Sequence, residues 1–172
     1  MTLTARRSVP GMSRRLVTVL VVVLAAALGA RTVAGGHGDD GGGATRGTAV
    51  VTRVVDGDTA VLAGVGKARF IGVDTPEVYG HRDCFGAQAS AYTKHTLQGR
   101  RVRYEIGREP RDRYGRALVY IWLPDGRFFN EMLVREGYAQ PMTIAPNIEY
   151  SRLFARQARA ARDRGRGLWE TC

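Results

Sequence analysis

The chain has 172 residues, room for one ordinary domain and too few for two. A hydrophobic share of 44% excludes a wholly disordered or wholly membrane-embedded protein. The net charge of +10 overstates the basicity of the folded part, because Arg6, Arg7, Arg14, Arg15 and Arg31 lie in a stretch without an acid; beyond residue 34 the balance is about +5. Lys67 and Lys94 are the only lysines, so nearly all the positive charge is on guanidinium groups, which can recognise phosphate in a planar, bidentate way.

Residues 1–15 are basic, Leu16 to Ala30 is an uncharged apolar run, and small residues follow at Gly29, Ala30 and Ala34. This is the order of a secretory signal, so residues 1–34 are expected to be a signal peptide. The apolar run is about 15 residues long against the roughly 20 that span a bilayer, which makes an uncleaved membrane anchor the second reading. Residues 35–47 are rich in glycine with Asp39 and Asp40 and read as a flexible linker. The expected location is secreted or in the cell envelope, where Cys84 and Cys172 would meet an oxidising compartment in which one disulfide persists.

From Thr48 the pattern is strand-like: β-branched residues crowd 49–55, 58–62 and 67–73, with Ala63 to Gly66 as a turn. Residues 86–98 contain good helix formers, with Ala87, Ala91, His95 and Leu97 or Tyr92 at helical offsets and Gly99 as a stop. Strand character returns at 101–106 and 116–123 around a polar turn at 107–115. Two amphipathic helices follow, one with Phe129, Met132, Leu133 and Glu136 on successive turns, the other with Leu153, Phe154, Gln157, Ala158 and Ala161 on one stripe. The expected class is α+β, mainly β: five short antiparallel strands closed into an OB-type barrel with about three helices packed on it, over residues 48–172.

Asp56-Gly57 is an ordinary turn signal. Folding 58–62 onto 67–73 about residue 65 sets Asp58 opposite Gly72, with Asp74 two positions further on, and Thr75 and Glu77 lie just past the strand end. These are all oxygen donors, suited to a hard cation such as Ca²⁺ or Mg²⁺ rather than to zinc. Arg69 and Asp74 are five residues apart, on opposite faces of a straight strand, and converge only if the chain bends near Gly72.

Six blocks carry a resemblance: VVDGDTAVL at 54–62, RFIGVDTPE at 69–77, GAQASAYTK at 86–94, DRYGRALVYI at 112–121, NEMLVREGYA at 130–139 and GLW at 167–169. In order and spacing, from Val50 to Trp169, they resemble the staphylococcal nuclease (thermonuclease) family. The resemblance implies an OB-fold endonuclease that hydrolyses DNA and RNA with Ca²⁺, the 5′-oxygen leaving to give 3′-phosphate products. It implies Asp58 and Asp74 as calcium carboxylates and Thr75 as a ligand through its carbonyl. It further implies Glu77 as the catalytic glutamate, Arg69 and Arg116 as the arginines on the scissile phosphate, and Arg113 with Tyr114 as the pair at the terminal phosphate. Water attack on a phosphodiester builds charge on phosphoryl oxygens, which a divalent cation and two guanidiniums can stabilise.

Two departures stand out: after Tyr138 the chain reads PMTIAPN where the family type member has base-flanking tyrosines, and the shortened loop between Glu77 and Gly86 contains Cys84. A non-catalytic nucleic-acid-binding module is the alternative function, and it predicts damage at Asp58, Asp74, Glu77, Arg69 or Arg116, all of which are intact. A structural envelope protein with these residues in surface ion pairs is a third. The enzyme is expected to act as a monomer without a stable protein partner. Loss of Arg69, Arg116 or Glu77 is expected to lower turnover with little loss of fold, and Cys84 is expected to pair with Cys172.

Overall fold

The computed structural model describes residues 46–80 and 82–172. The expected signal peptide and nearly all of the expected linker lie outside the described residues. Among the described residues no helix is long and apolar enough to cross a membrane.

The strands are β1 (Arg46–Val54), β2 (Thr59–Leu62), β3 (Gly66–Phe70), β4 (Val73–Asp74), β5 (Arg101–Arg111), β6 (Ala117–Trp122) and β7 (Gln140–Pro141). The helices are α1 (Gly86–Leu97), α2 (Phe129–Arg135), α3 (Ser151–Asp163) and the single turn α4 (Leu168–Thr171). Five strands close a barrel in the order β1-β2-β3-β6-β5, as expected for the OB arrangement, while β4 and β7 form a separate two-stranded sheet.

One pairing corrects the all-antiparallel expectation: β3 and β6 run parallel, with Arg69 beside Leu118. The chain leaves β3 through β4, α1 and the whole of β5 before β6 returns, and such a long excursion permits the parallel direction that a hairpin cannot.

The hairpin register also shifts. Thr59 pairs with Arg69 and Leu62 with Gly66, so Asp58 faces Phe70, whose N–H donates to the Asp58 carbonyl at 2.8 Å, rather than Gly72. The turn is tighter than expected because Gly64 and Gly66 both take positive φ.

β1 begins two residues early, at Arg46, whose guanidinium pairs with Glu105 at 2.9 Å. β5 runs to Arg111 into the expected turn, and the Asn147 side chain holds that extension by bonding both the N–H and the carbonyl of Glu109 at 3.0 Å.

Val51, Leu62, Phe70, Val102, Val119 and Ile121 fill the barrel. Phe129 and Leu133 of α2 and Phe154 of α3 close its end, with the Phe70 and Phe129 rings edge to face at 5.7 Å. Each such side chain contributes about 1.5–3 kcal/mol by burial.

Helix α1 presents a different face from the one expected. Ala89, Thr93, Thr96 and Leu97 are buried, whereas Ala87, Ala91 and His95 are exposed. Thr93 goes inward because its Oγ1 donates to the Gly57 carbonyl at 2.6 Å, so its hydroxyl is satisfied in the interior. The C-terminal Gly167-Leu168-Trp169 segment docks on the fold: Leu168 is buried and its N–H donates to the Gly137 carbonyl at 2.9 Å.

Candidate active site

The turn between β1 and β2 is closed by the Val55 N–H to the Thr59 carbonyl at 2.8 Å and by the Asp58 N–H to Asp56 Oδ1 at 3.1 Å. A β-carbon at Gly57 would overlap the Thr75 side chain, so glycine lets the turn tuck under the segment that follows β4. That contact buries Asp58. Its Oδ2 accepts from the Thr75 N–H at 2.9 Å and the Thr75 hydroxyl at 3.0 Å, and its Oδ1 accepts from the Thr59 hydroxyl at 3.2 Å. Burial pushes the Asp58 carboxyl up to about 6, and the opposing pull of Arg69 and the Thr75 N–H does not cancel it.

Arg69 is itself only 8% exposed. Its Nη1 lies 2.8 Å from Asp58 Oδ2 and donates to the Val73 carbonyl at 2.9 Å, while its Nη2 reaches Asp74 Oδ1 at 2.8 Å. The bend that spacing alone could not supply is at Gly72, whose φ of 80° turns the chain between β3 and β4. Strand β7 holds the returned segment by pairing Val73 with Pro141 and Asp74 with Gln140.

Arg116 lies in the β5–β6 hairpin turn, immediately before β6. Its Nε donates to Asp112 Oδ2 at 2.6 Å, and Asp112 Oδ1 accepts the N–H groups of Tyr114 and Arg116, each at 2.9 Å. Burial acts to raise the Asp112 pKa, but these bonds outweigh it and hold the carboxyl below its usual range. Tyr114 is 68% exposed, with Arg113 over its ring at 4.8 Å and Arg116 at 5.5 Å.

Arg69, Arg116, Arg113 and Tyr114 line a groove of about 640 Å³ whose other wall includes Met142 and Ile144. Asp74, Thr75 and Glu77 line an adjoining hollow of about 270 Å³ together with Asp83 and the disulfide. The Arg69–Asp74 ion pair joins the two spaces, and Asp58 lies buried behind it. Glu77 shares the hollow with Asp74 and Thr75, and its exposed carboxylate makes no hydrogen bond or ion pair among the described residues. Cys84 and Cys172 form a disulfide, their Cα atoms 5.9 Å apart.

Among the described residues no group of three or more His, Cys, Asp or Glu side chains could hold a metal ion. The donors expected from the sequence, the Asp58 and Asp74 carboxylates and the Thr75 carbonyl, are an all-oxygen set of the kind that suits Ca²⁺ or Mg²⁺ with water completing the shell; Asp74 and Thr75 line the hollow and Asp58 bonds Thr75 from behind. Arg69 contacts Asp58 through Oδ2 and Asp74 through Oδ1, which leaves Asp74 Oδ2 clear of the guanidinium and Asp58 Oδ1 with the Thr59 hydroxyl, a donor that still leaves that oxygen a lone pair.

Two participants are absent from the sequence-based expectations: Asp112, which orients Arg116 and whose signal is an aspartate opening a turn that ends in glycine, and Asp83, which bonds the Glu77 main chain and has no such signal.

Residues 67–171 match the family model described as staphylococcal nuclease homologue. The chain belongs to the staphylococcal nuclease family. It is 40% identical over 127 residues to a thermonuclease of Staphylococcus intermedius, covering 70% of this chain and 75% of that protein. It is 38% identical over 125 residues to a thermonuclease of Staphylococcus hyicus, covering 69% and 73%. Endonuclease YhcR of Bacillus subtilis (strain 168) is 36% identical over 135 residues, 70% of this chain but 11% of the much longer relative. The chain is therefore an enzyme of the nuclease class, a phosphodiester hydrolase, built on the five-stranded barrel described above.

Proposed function

We propose that this nuclease is a secreted or envelope-located, monomeric, calcium-dependent endonuclease that cleaves both DNA and RNA and leaves 3′-phosphate ends. The observation that carries the reading is the buried Arg69 fork, which ties Asp58 to Asp74 while lining the same groove as Arg116. Location rests on the basic and apolar pattern of residues 1–34.

In this mechanism Arg69 and Arg116 receive the scissile phosphate and offset the charge that grows on its oxygens as phosphorus becomes five-coordinate. Arg69 Nη1 is committed to the Phe70 and Val73 carbonyls and to Asp58, which fixes the guanidinium, so the phosphate would be met by Nε and by the second N–H of Nη2. Asp58, Asp74 and the Thr75 carbonyl would hold Ca²⁺, which supplies Lewis-acid stabilisation of the phosphoryl oxygens and of the attacking water. Glu77 orients that water and accepts its proton; the new P–O bond forms, the bond to the 5′-oxygen breaks, the 5′-oxygen takes up a proton from solvent, and Glu77 releases its own to solvent. Arg113 and Tyr114, exposed at the hairpin tip, bind the terminal phosphate. Contacts of this kind go to phosphate rather than to base edges, which supports activity on both nucleic acids.

Mass spectrometry of the products from a DNA and an RNA oligonucleotide tests the chemistry. The expected result is 3′-phosphate and 5′-hydroxyl ends from both, and 5′-phosphate ends would contradict the proposed direction of cleavage.

A further inference from the structure

We propose that Asp83 is a positioning residue for Glu77, and that the Cys84–Cys172 disulfide keeps Asp83 in place. The inference rests on the reading of Glu77 as the residue that serves the attacking water.

The Glu77 carboxylate has no partner among the described residues, so its location depends on its backbone. That backbone is gripped from both sides by one residue. The Glu77 N–H donates to Asp83 Oδ2 at 3.1 Å, and the Glu77 carbonyl accepts from the Asp83 N–H at 3.0 Å. The two bonds tie together residues six positions apart, so that a shift of the Glu77 backbone draws on Asp83.

Asp83 is anchored in turn. Its carbonyl accepts the Gly86 N–H at 3.2 Å at the start of α1, and a β-carbon at Gly86 would overlap the Glu77 carbonyl, so glycine lets the helix abut the same peptide. Cys84, the next residue, is bonded to Cys172, which follows the α4 turn docked through buried Leu168. A continuous set of contacts thus runs from the docked C-terminus through the disulfide to Asp83 and on to Glu77. Glu77, Asp83, Cys84 and Cys172 all line the same hollow as Asp74 and Thr75.

A general base must hold its oxygen within hydrogen-bond reach of the water it serves, and a misplacement of about 1 Å can cost on the order of a hundredfold in rate. Loosening this clamp therefore lowers the chemical step and leaves phosphate binding, which belongs to Arg69 and Arg116 in the adjoining groove, largely alone.

The test compares steady-state kinetics of the full chain on single-stranded DNA with calcium for Asp83→Ala, Asp83→Asn, the pair Cys84→Ser with Cys172→Ser, and Glu77→Gln. Asp83→Ala is expected to lower kcat about tenfold with KM within about twofold of the parent. Asp83→Asn keeps an acceptor for the Glu77 N–H and is expected to recover kcat to within about threefold of the parent. The cysteine pair is expected to lower kcat in the same direction, and Asp83→Ala added to it to cost less than it does alone, since both act through one element. If the cysteine variant does not fold, the two Asp83 variants decide by themselves. Parental kcat in Asp83→Ala beside an inactive Glu77→Gln overturns the inference while preserving the reading of Glu77. Equal impairment of Asp83→Ala and Asp83→Asn, with KM rising in proportion, also overturns it. Parental kcat in Glu77→Gln overturns the reading of Glu77 itself.

Discussion

Arg69 and Arg116 line one groove but are built into the protein in different ways. Arg69 is almost wholly buried among two carboxylates and two main-chain carbonyls, and its loss would strand the buried Asp58 without its counter-charge. Arg116 has a side chain 25% exposed and leans on one carboxylate, Asp112, at a hairpin. The contrast teaches that two residues with the same proposed task can differ in what else depends on them: Arg69 joins the site to the fold, whereas Arg116 serves the site alone.

The largest effect should come from Arg69→Ala. Turnover is expected to fall by more than about a hundredfold, as expected from sequence, but the structure changes the second half of that expectation, because breaking a buried pair costs about 3 kcal/mol. Chemical denaturation of the variant checks this. Arg116→Ala should lose turnover to a similar degree while its denaturation midpoint stays near that of the parent, because a partly exposed ion pair contributes about 1 kcal/mol or less. Equal destabilisation by the two substitutions would erase the distinction.

A third expectation sharpens the buried side of the comparison through pH. Asp58 ionises near 3.8 in the unfolded chain and at about 6 in the fold. A carboxyl whose folded pKa is raised contributes stability that is full below 3.8 and is lost as pH climbs through about 6. At neutral pH the ionised, buried carboxylate is thus a burden that a bound divalent cation relieves, whereas at pH near 5 a proton competes with the cation. Calcium should therefore raise the melting temperature more at pH 7 than at pH 5, and an equal or reversed increment would count against Asp58 as a ligand. The smallest effect should follow Asp112→Asn, which weakens the charge-assisted bond to Arg116 Nε but keeps an acceptor. A loss of about threefold to tenfold in turnover, with unchanged calcium response, is the expected kinetic result.

The candidate site was largely legible in the sequence because its residues sit in three compact blocks whose spacing is local. Asp58, Arg69, Asp74, Thr75 and Glu77 occupy one hairpin and its continuation, and Arg116 the block at 112–121. What stayed hidden depends on contacts between distant segments. The bend joining Arg69 to Asp74 requires positive φ at Gly72 and the support of β7, and glycine alone signals only that such a bend is permitted. The inward face of α1 differs from the expected one because hydrophobicity favours Ala87 and Ala91, while the hydrogen bond from Thr93 to Gly57, 36 residues away, turns a polar face inward. The parallel β3–β6 closure and the Asn147 bonds that extend β5 are long-range for the same reason.

The most direct measurement of the central claim is digestion of DNA and RNA by the purified protein in millimolar calcium and, side by side, in excess chelator. The account expects both nucleic acids to be degraded with calcium, both to survive in chelator, and activity to return when calcium is restored. Undiminished cleavage in chelator would contradict it.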